Sequence, residues 1–275
     1  MAPEAQTPQP QPPAPLVLDD AHALARMQTP APPLRRSDVC TTLADFALIT
    51  YAVDPEALQR LLPPGFSAQR FSIDGVDRAL ISAVPFRDLD FRFQFAPWLR
   101  FHFGQTNYRA YVLRRGEPCV WFFGTSLATP WVLVPQILWR LPWHFARMRF
   151  DTAWQDGRCR HYHLHTSAPW GRAVVELEGT DEPQGVLPGF ASADQTSLIL
   201  THPLDGYFRR SDGRIGSYSV YHSRLQLRRG IAKRARFEVF EELGLLDAGS
   251  KPHSVLLQQQ TEFFVYLPPH IVHDR

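Results

Sequence analysis

Asp74-Gly75, Asp156-Gly157 and Asp212-Gly213 each stand between two strand-like runs, and Arg115-Gly116 separates two further apolar runs. Asp-Gly tolerates the positive φ of a tight hairpin turn, so the pattern asks for antiparallel neighbours joined locally. No other feature narrows the fold as much. A doubly wound parallel sheet would alternate strands with helical connectors, and that alternation is missing. Leu43 to Val53 reads as a strand. A helix over 55–62 follows it, opened by Asp54-Pro55-Glu56 and stopped by Pro63-Pro64-Gly65. Further helices are expected over 131–141, 194–202 and 237–243. With 275 residues, 44% of them hydrophobic, the chain can build a substantial core.

Nine of the 25 prolines precede residue 36. Such a segment has little to bury, so residues 1–36 are expected to form a disordered Pro-rich arm. Leu16–Met27 could form a transient helix within it, and residues 37–275 are expected to form a single domain. The arm shows neither the basic start nor the apolar core of a secretory signal. The uncharged run from Pro118 to Trp139 is broken by Pro130, Pro135 and Gly124-Thr125-Ser126. A buried strand followed by a buried helix suits it better than a membrane span. Cys40, Cys119 and Cys159 are odd in number and widely spaced, which gives no disulfide framework and fits a reducing compartment. The expectation is a soluble cytoplasmic protein with no membrane partner. Lys+Arg number 29 against 27 Asp+Glu, a net charge of +2 without a basic stripe, which argues against nucleic acid as a partner. No Gly-rich phosphate loop occurs, and no cofactor is expected. A homo-oligomer is compatible with all of this.

Several constellations could carry chemistry. In Asn107-Tyr108-Arg109-Ala110-Tyr111-Val112, alternation puts Asn107, Arg109 and Tyr111 on one strand face. Arg109 offers a fork that matches a carboxylate. Periodicity alone favours the common arrangement, with that polar face turned outward. In Cys159-Arg160-His161-Tyr162-His163-Leu164-His165, four potential ligands alternate along one face. Neighbours such as His161 and His163 could share a zinc ion, with further ligands from elsewhere; an exposed His-rich face is the plainer reading. Gly124-Thr125-Ser126-Leu127-Ala128 approximates a nucleophile elbow, but an elbow belongs on a parallel sheet. His144, between two tryptophans, could shuttle a proton or simply fill a corner. Asp88 and Asp90 are expected on one face of an exposed edge strand, compensated by Arg87 and Arg92.

Taken in order, these stretches resemble a known family. They are Asp54-Pro55 through Leu62-Pro63-Pro64-Gly65-Phe66, Ala83-Val84-Pro85-Phe86, and Asn107-x-Arg109-x-Tyr111-Val112. Trp121 to Leu127, Pro142-Trp143-His144-x-Ala146-Arg147-Met148, Tyr207-Phe208 and His222 continue the set. Over residues 40 to 270 the chain is similar to the YqjF-like uncharacterised family, a domain of unknown function within the acetoacetate-decarboxylase-like superfamily. The resemblance implies an α+β fold: a large, mostly antiparallel sheet closed into a barrel-like cone around a pocket, with a few peripheral helices. It also implies that Asn107, Arg109 and Tyr111 face that pocket, which reverses the outward reading.

Decarboxylases of this superfamily use a lysine that forms a Schiff base with a β-keto acid, its pKa depressed by a neighbouring lysine. The position that looks equivalent to their Pro-Lys-Lys run is Pro142-Trp143-His144, which has no primary amine. Lys233 and Lys251, the chain's two lysines, lie far along the sequence. The strand around Tyr108 also lacks the glutamate that the decarboxylases place there. The resemblance therefore implies a pocket for a small organic acid or carbonyl compound, with Asn107, Arg109 and Tyr111 as ligand-binding residues. Tyr111 or His144 would be the acid/base of any catalysis, which would be cofactor-free lyase- or hydrolase-type chemistry. A non-catalytic binding or sensing module and a zinc protein built on His161 and His163 are the alternatives.

Overall fold

Long strands with residues alternating between two covered faces build this chain. The computed structural model describes residues 31–272. Residues 1–30, with most of the expected arm and its Leu16–Met27 helix, lie outside them. The end of the arm is tied down: the Pro32 carbonyl accepts from Tyr266 Oη at 3.1 Å and the Arg36 carbonyl from Phe95 N at 3.0 Å.

In chain order the first strands are β1 (Val39–Val53), β2 (Phe66–Ala68), β3 (Arg70–Ile73), β4 (Val76–Phe93), β5 (Phe101–Arg114), β6 (Glu117–Leu127) and β7 (Trp143–Phe145). They are followed by β8 (Arg147–Gln155), β9 (Arg158–Ser167), β10 (Ala173–Pro183), β11 (Asp205–Arg209), β12 (Ile215–Tyr221), β13 (Arg228–Phe237) and β14 (Ser254–Ile271). The helices are α1 (Pro55–Gln59), α2 (Leu133–Trp139), α3 (Ala193–Thr201) and α4 (Glu238–Glu242). Each sits where the sequence predicts one, and α1 opens as expected, with Asp54 accepting from Glu56 N and Pro55 in the first turn.

Strands β1, β4, β5, β6, β11, β12 and β14 succeed one another around a barrel, and β14 returns to pair with β1. All of these pairings are antiparallel except β6 with β11. From β14 the sheet runs on through β13, β10, β9 and β8 as an outer layer. The wall therefore has two cores. Leu48, Leu80, Val84, Phe122 and Phe208 pack inside the barrel, with Ile199 and Leu200 of α3. Ile49, Ile81, Tyr108 and Val112 pack on the other side, between the wall and Tyr162, Leu164 and Val175 of the outer strands. This is the α+β, barrel-like architecture that the resemblance implied.

Three of the turns work as read. Asp74-Gly75, Arg115-Gly116 and Asp156-Gly157 carry positive φ at both central residues, as a two-residue hairpin requires. The run Pro118–Trp139 is β6 followed by a short 3-10 turn and α2, and no helix among the described residues is long and apolar enough to cross a membrane.

Bulges overturn two face assignments. The β8–β9 register skips Arg160, so Cys159 turns into the core while His161, His163 and His165 stay on the outer face. The four candidate ligands do not share a face. On β4, the register shifts between Asp88 and Phe91, and Asp90 adopts φ 55° in that bulge. β4 lies between β1 and β5 and is no edge strand. Asp88 is 2% exposed, whereas Asp90 reaches Arg100 at 3.2 Å on the surface.

Candidate functional site

The barrel interior is incompletely filled. It encloses a cavity of about 100 Å³ whose walls include Asp88, Asn107, Arg109 and His222 among mostly apolar side chains. At about 10–15 Å³ per water-sized site, that is room for roughly seven to ten heavy atoms.

β5 supplies the polar wall. Arg109 Nη2 donates to the Leu200 carbonyl at 2.8 Å and lies 3.4 Å from Tyr111 Oη. Leu200 is in the last turn of α3, where carbonyls have no helical donor and the helix dipole is negative. The neighbouring Thr201 carbonyl is also taken, 2.8 Å from His222 Nε2. Arg109 Nε has no partner, and no carboxylate among the described residues forms an ion pair with this guanidinium. Asn107 Oδ1 accepts from Gln105 Nε2 at 2.8 Å and from Thr125 Oγ1 at 3.0 Å. Those bonds fix the amide, and Asn107 lines the cavity.

Tyr111 lies on the Arg109 side of β5 but beneath it. Its ring is fully buried, and its hydroxyl is 3.0 Å from Ser82 Oγ and donates to the Leu200 carbonyl at 3.1 Å. It steadies the guanidinium and is not part of the cavity wall.

His222 stacks on Phe263 with ring centroids 4.4 Å apart. Both ring nitrogens face backbone carbonyls, Nδ1 at 2.8 Å from Ser223 and Nε2 at 2.8 Å from Thr201. A neutral ring can donate to only one of them. Burial, with Arg109 contributing, holds its pKa below the ordinary imidazole value. Asp88 Oδ1 accepts from Thr41 Oγ1 at 2.8 Å, and Oδ2 has no partner among the described residues. Burial pushes its carboxyl pKa up to about 7, the Thr41 hydrogen bond opposing.

Other candidates lie elsewhere. His144 is next to Trp143, which lines the cavity, but its own ring stacks on Trp170 at 4.2 Å on the opposite face of the wall. The expectation that it serves this pocket as acid or base is corrected by that placement. Ser126 is an ordinary residue of β6 whose Oγ accepts from Trp170 Nε1 at 3.0 Å; no elbow forms. His161 is 3.2 Å from Asp151, with the His163 ring centroid 5.4 Å away on the outer face. Among the described residues no group of three or more His, Cys, Asp or Glu, this one included, could hold a metal ion. Lys233 pairs with Glu178 on the outer layer at 2.7 Å and Lys251 is exposed; neither lines the cavity.

A family model described as an uncharacterized conserved protein, DUF2071, matches residues 41–262. The chain belongs to the DUF2071 family. No match is found among curated proteins. Solved structures resemble it in fold. An acetoacetate decarboxylase-like enzyme from Sphingomonas wittichii RW1 is 12% identical, with a TM-score of 0.58 over 90% of this chain and 97% of that one. The acetoacetate decarboxylase from Legionella pneumophila subsp. pneumophila str. Philadelphia 1 is 12% identical, with a TM-score of 0.56 over 90% and 93%. The enduracididine biosynthesis enzyme MppR, complexed with pyruvate, is 14% identical, with a TM-score of 0.55 over 86% and 91%.

Within this DUF2071 fold, the sequence reading missed Asp88 and assigned no role to His222. His222 carried a signal, as one of the residues behind the family resemblance. Asp88 carried a misleading one, since its arginine neighbours suggested a solvated, neutralised strand.

Proposed function

We propose that this DUF2071 protein holds a small organic acid or carbonyl compound inside its barrel, with Arg109 as the carboxylate anchor. Asn107 donates to the same group, and Tyr111 positions the guanidinium. One observation carries the reading: a guanidinium in a mostly apolar cavity has no carboxylate partner among the described residues and leaves Nε unbonded among them. A buried charge without a counter-charge is costly, and an incoming carboxylate relieves that cost. Imine chemistry is not part of the reading, because neither lysine lines the cavity.

Calorimetric titration with pyruvate, acetoacetate and levulinate tests it. The wild type is expected to bind at least one of these acids. Arg109→Ala should weaken that affinity tenfold or more, and Arg109→Lys should recover part of it, since an ammonium keeps the charge without the fork. Borohydride treatment should trap no adduct in wild type. Unchanged affinity in Arg109→Ala would overturn the assignment, and a trapped adduct would overturn the exclusion of imine chemistry.

A further inference from the structure

Asp88 lies in the wall of the same cavity as Arg109. It is 2% exposed, and its Oδ2 has no hydrogen-bond partner among the described residues. The flanking arginines do not neutralise it. Arg87 turns to Asp45, and Arg92 Nη1 donates to the Asp90 carbonyl at 3.2 Å. A buried polar atom without a partner is costly, and a leucine would fill such a site more cheaply. The atom is therefore best explained by something that enters the cavity.

The placement of Asp88 says what. Ser82 of β4 pairs with Arg109, and Asp88 of β4 pairs with Phe103. The six intervening steps separate their backbones by about 20 Å at roughly 3.3 Å per residue. Val84 and Phe86 line the stretch between them. The cavity thus has a cationic pole, an apolar middle and a carboxyl pole.

We propose that Asp88 Oδ2 is the second recognition atom of the cavity, bonding a hydroxyl or carbonyl oxygen at the end of the ligand remote from its carboxylate. This rests on the reading that Arg109 holds that carboxylate. The ligand class is an acid of roughly four to seven carbons in all, which with its oxygens makes about seven to ten heavy atoms in keeping with the space available, and which carries a terminal oxygen function.

Calorimetric titration of the full chain with butanoate, hexanoate and heptanoate, each beside its ω-hydroxy counterpart, tests the assignment. At one chain length the hydroxy acid should bind wild type at least tenfold tighter than the plain acid. Asp88→Leu should level that pair while still binding the plain acid, and Arg109→Ala should weaken both members. Discrimination that is absent at every length while Arg109→Ala still weakens the plain acids overturns the Asp88 assignment and leaves the Arg109 reading standing. Discrimination that survives Asp88→Leu does the same. Failure of every acid to bind wild type, or indifference to Arg109→Ala, overturns both. Should Asp88→Leu not fold, infrared difference spectra decide. A protonated-carboxyl stretch present in wild type and absent in Asp88→Asn should shift with the ω-hydroxy acid and not with the plain one. A band that does not move overturns the proposal.

Discussion

Replacing Asp88 by Asn should change stability in a way that depends on pH, and the sign follows from burial. An aspartate in the unfolded chain ionises near 3.8, whereas burial raises this one to about 7 in the folded protein. Between those values the folded state holds a proton that the unfolded chain has released. Stability from this group is therefore complete below pH 3.8 and is lost as pH rises through about 7. Each pH unit costs about 1.4 kcal/mol, so the full penalty approaches about 4 kcal/mol. Asparagine keeps an oxygen for the Thr41 hydroxyl but cannot ionise. Its amide group adds only an offset that does not vary with pH.

Urea unfolding followed by tryptophan fluorescence, in parallel on wild type and Asp88→Asn from pH 4.5 to 8.5, reads the effect. The stability difference should shift in favour of the variant by about 3 kcal/mol across that range and level off above pH 7. Taking the difference removes the other titrating groups, including His144, His222 and His253, whose pKa values burial lowers. Arg87, Arg92, Asp90 and Arg100 flank the bulge, but each is engaged away from Asp88. A flat difference would refute the reasoning, since Asp88 would then ionise as it does in water.

Two further predictions concern the wall. Asp45 accepts from Thr152 Oγ1 at 2.9 Å, from Trp154 Nε1 at 2.7 Å and from Arg87, tying barrel to outer layer from a bulge at φ 52°. Asp45→Ala should cost about 3 kcal/mol or more in urea unfolding, and Asp45→Asn clearly less, because Asn tolerates positive φ and keeps one acceptor; equal costs would discredit the bulge argument. Gly124→Ala would put a Cβ 2.7 Å from the Trp170 ring, which the Ser126 bond and the His144 stack hold in place. Thermal or urea unfolding should show a loss of about 1–3 kcal/mol, and a double-mutant cycle with Trp170→Leu should recover most of it.

What the sequence made legible is what strand geometry makes local. Turn dipeptides gave the hairpins, and a period of two separated Asn107, Arg109 and Tyr111 from Tyr108, Ala110 and Val112, as the two cores on either side of β5 bear out. The closed barrel entered only through the family resemblance. The rest failed for identifiable reasons. One extra residue at Arg160 put Cys159 on the opposite face from the histidines. Trp143 and His144 are adjacent on a three-residue strand, so a motif that lines the cavity with one must turn the other away. The Leu200 carbonyl that holds Arg109 comes from 91 positions along the chain, beyond any local pattern.

Asp88 is the instructive failure. Arg87-Asp88 reads as a compensated pair, yet on a strand neighbours at i and i+1 point to opposite faces. An arginine beside an aspartate in sequence is therefore the one least able to neutralise it in space, and here Arg87 serves Asp45 instead. Where one face of a strand is fully buried, as that of β4 is at Asp88, such a pair separates one charge from the other across the wall. The carboxyl left inside must then find a proton, a cation or a ligand. In this barrel Thr41 provides one hydrogen bond and no cation arrives among the described residues, so the second oxygen stays buried without a partner in the cavity wall.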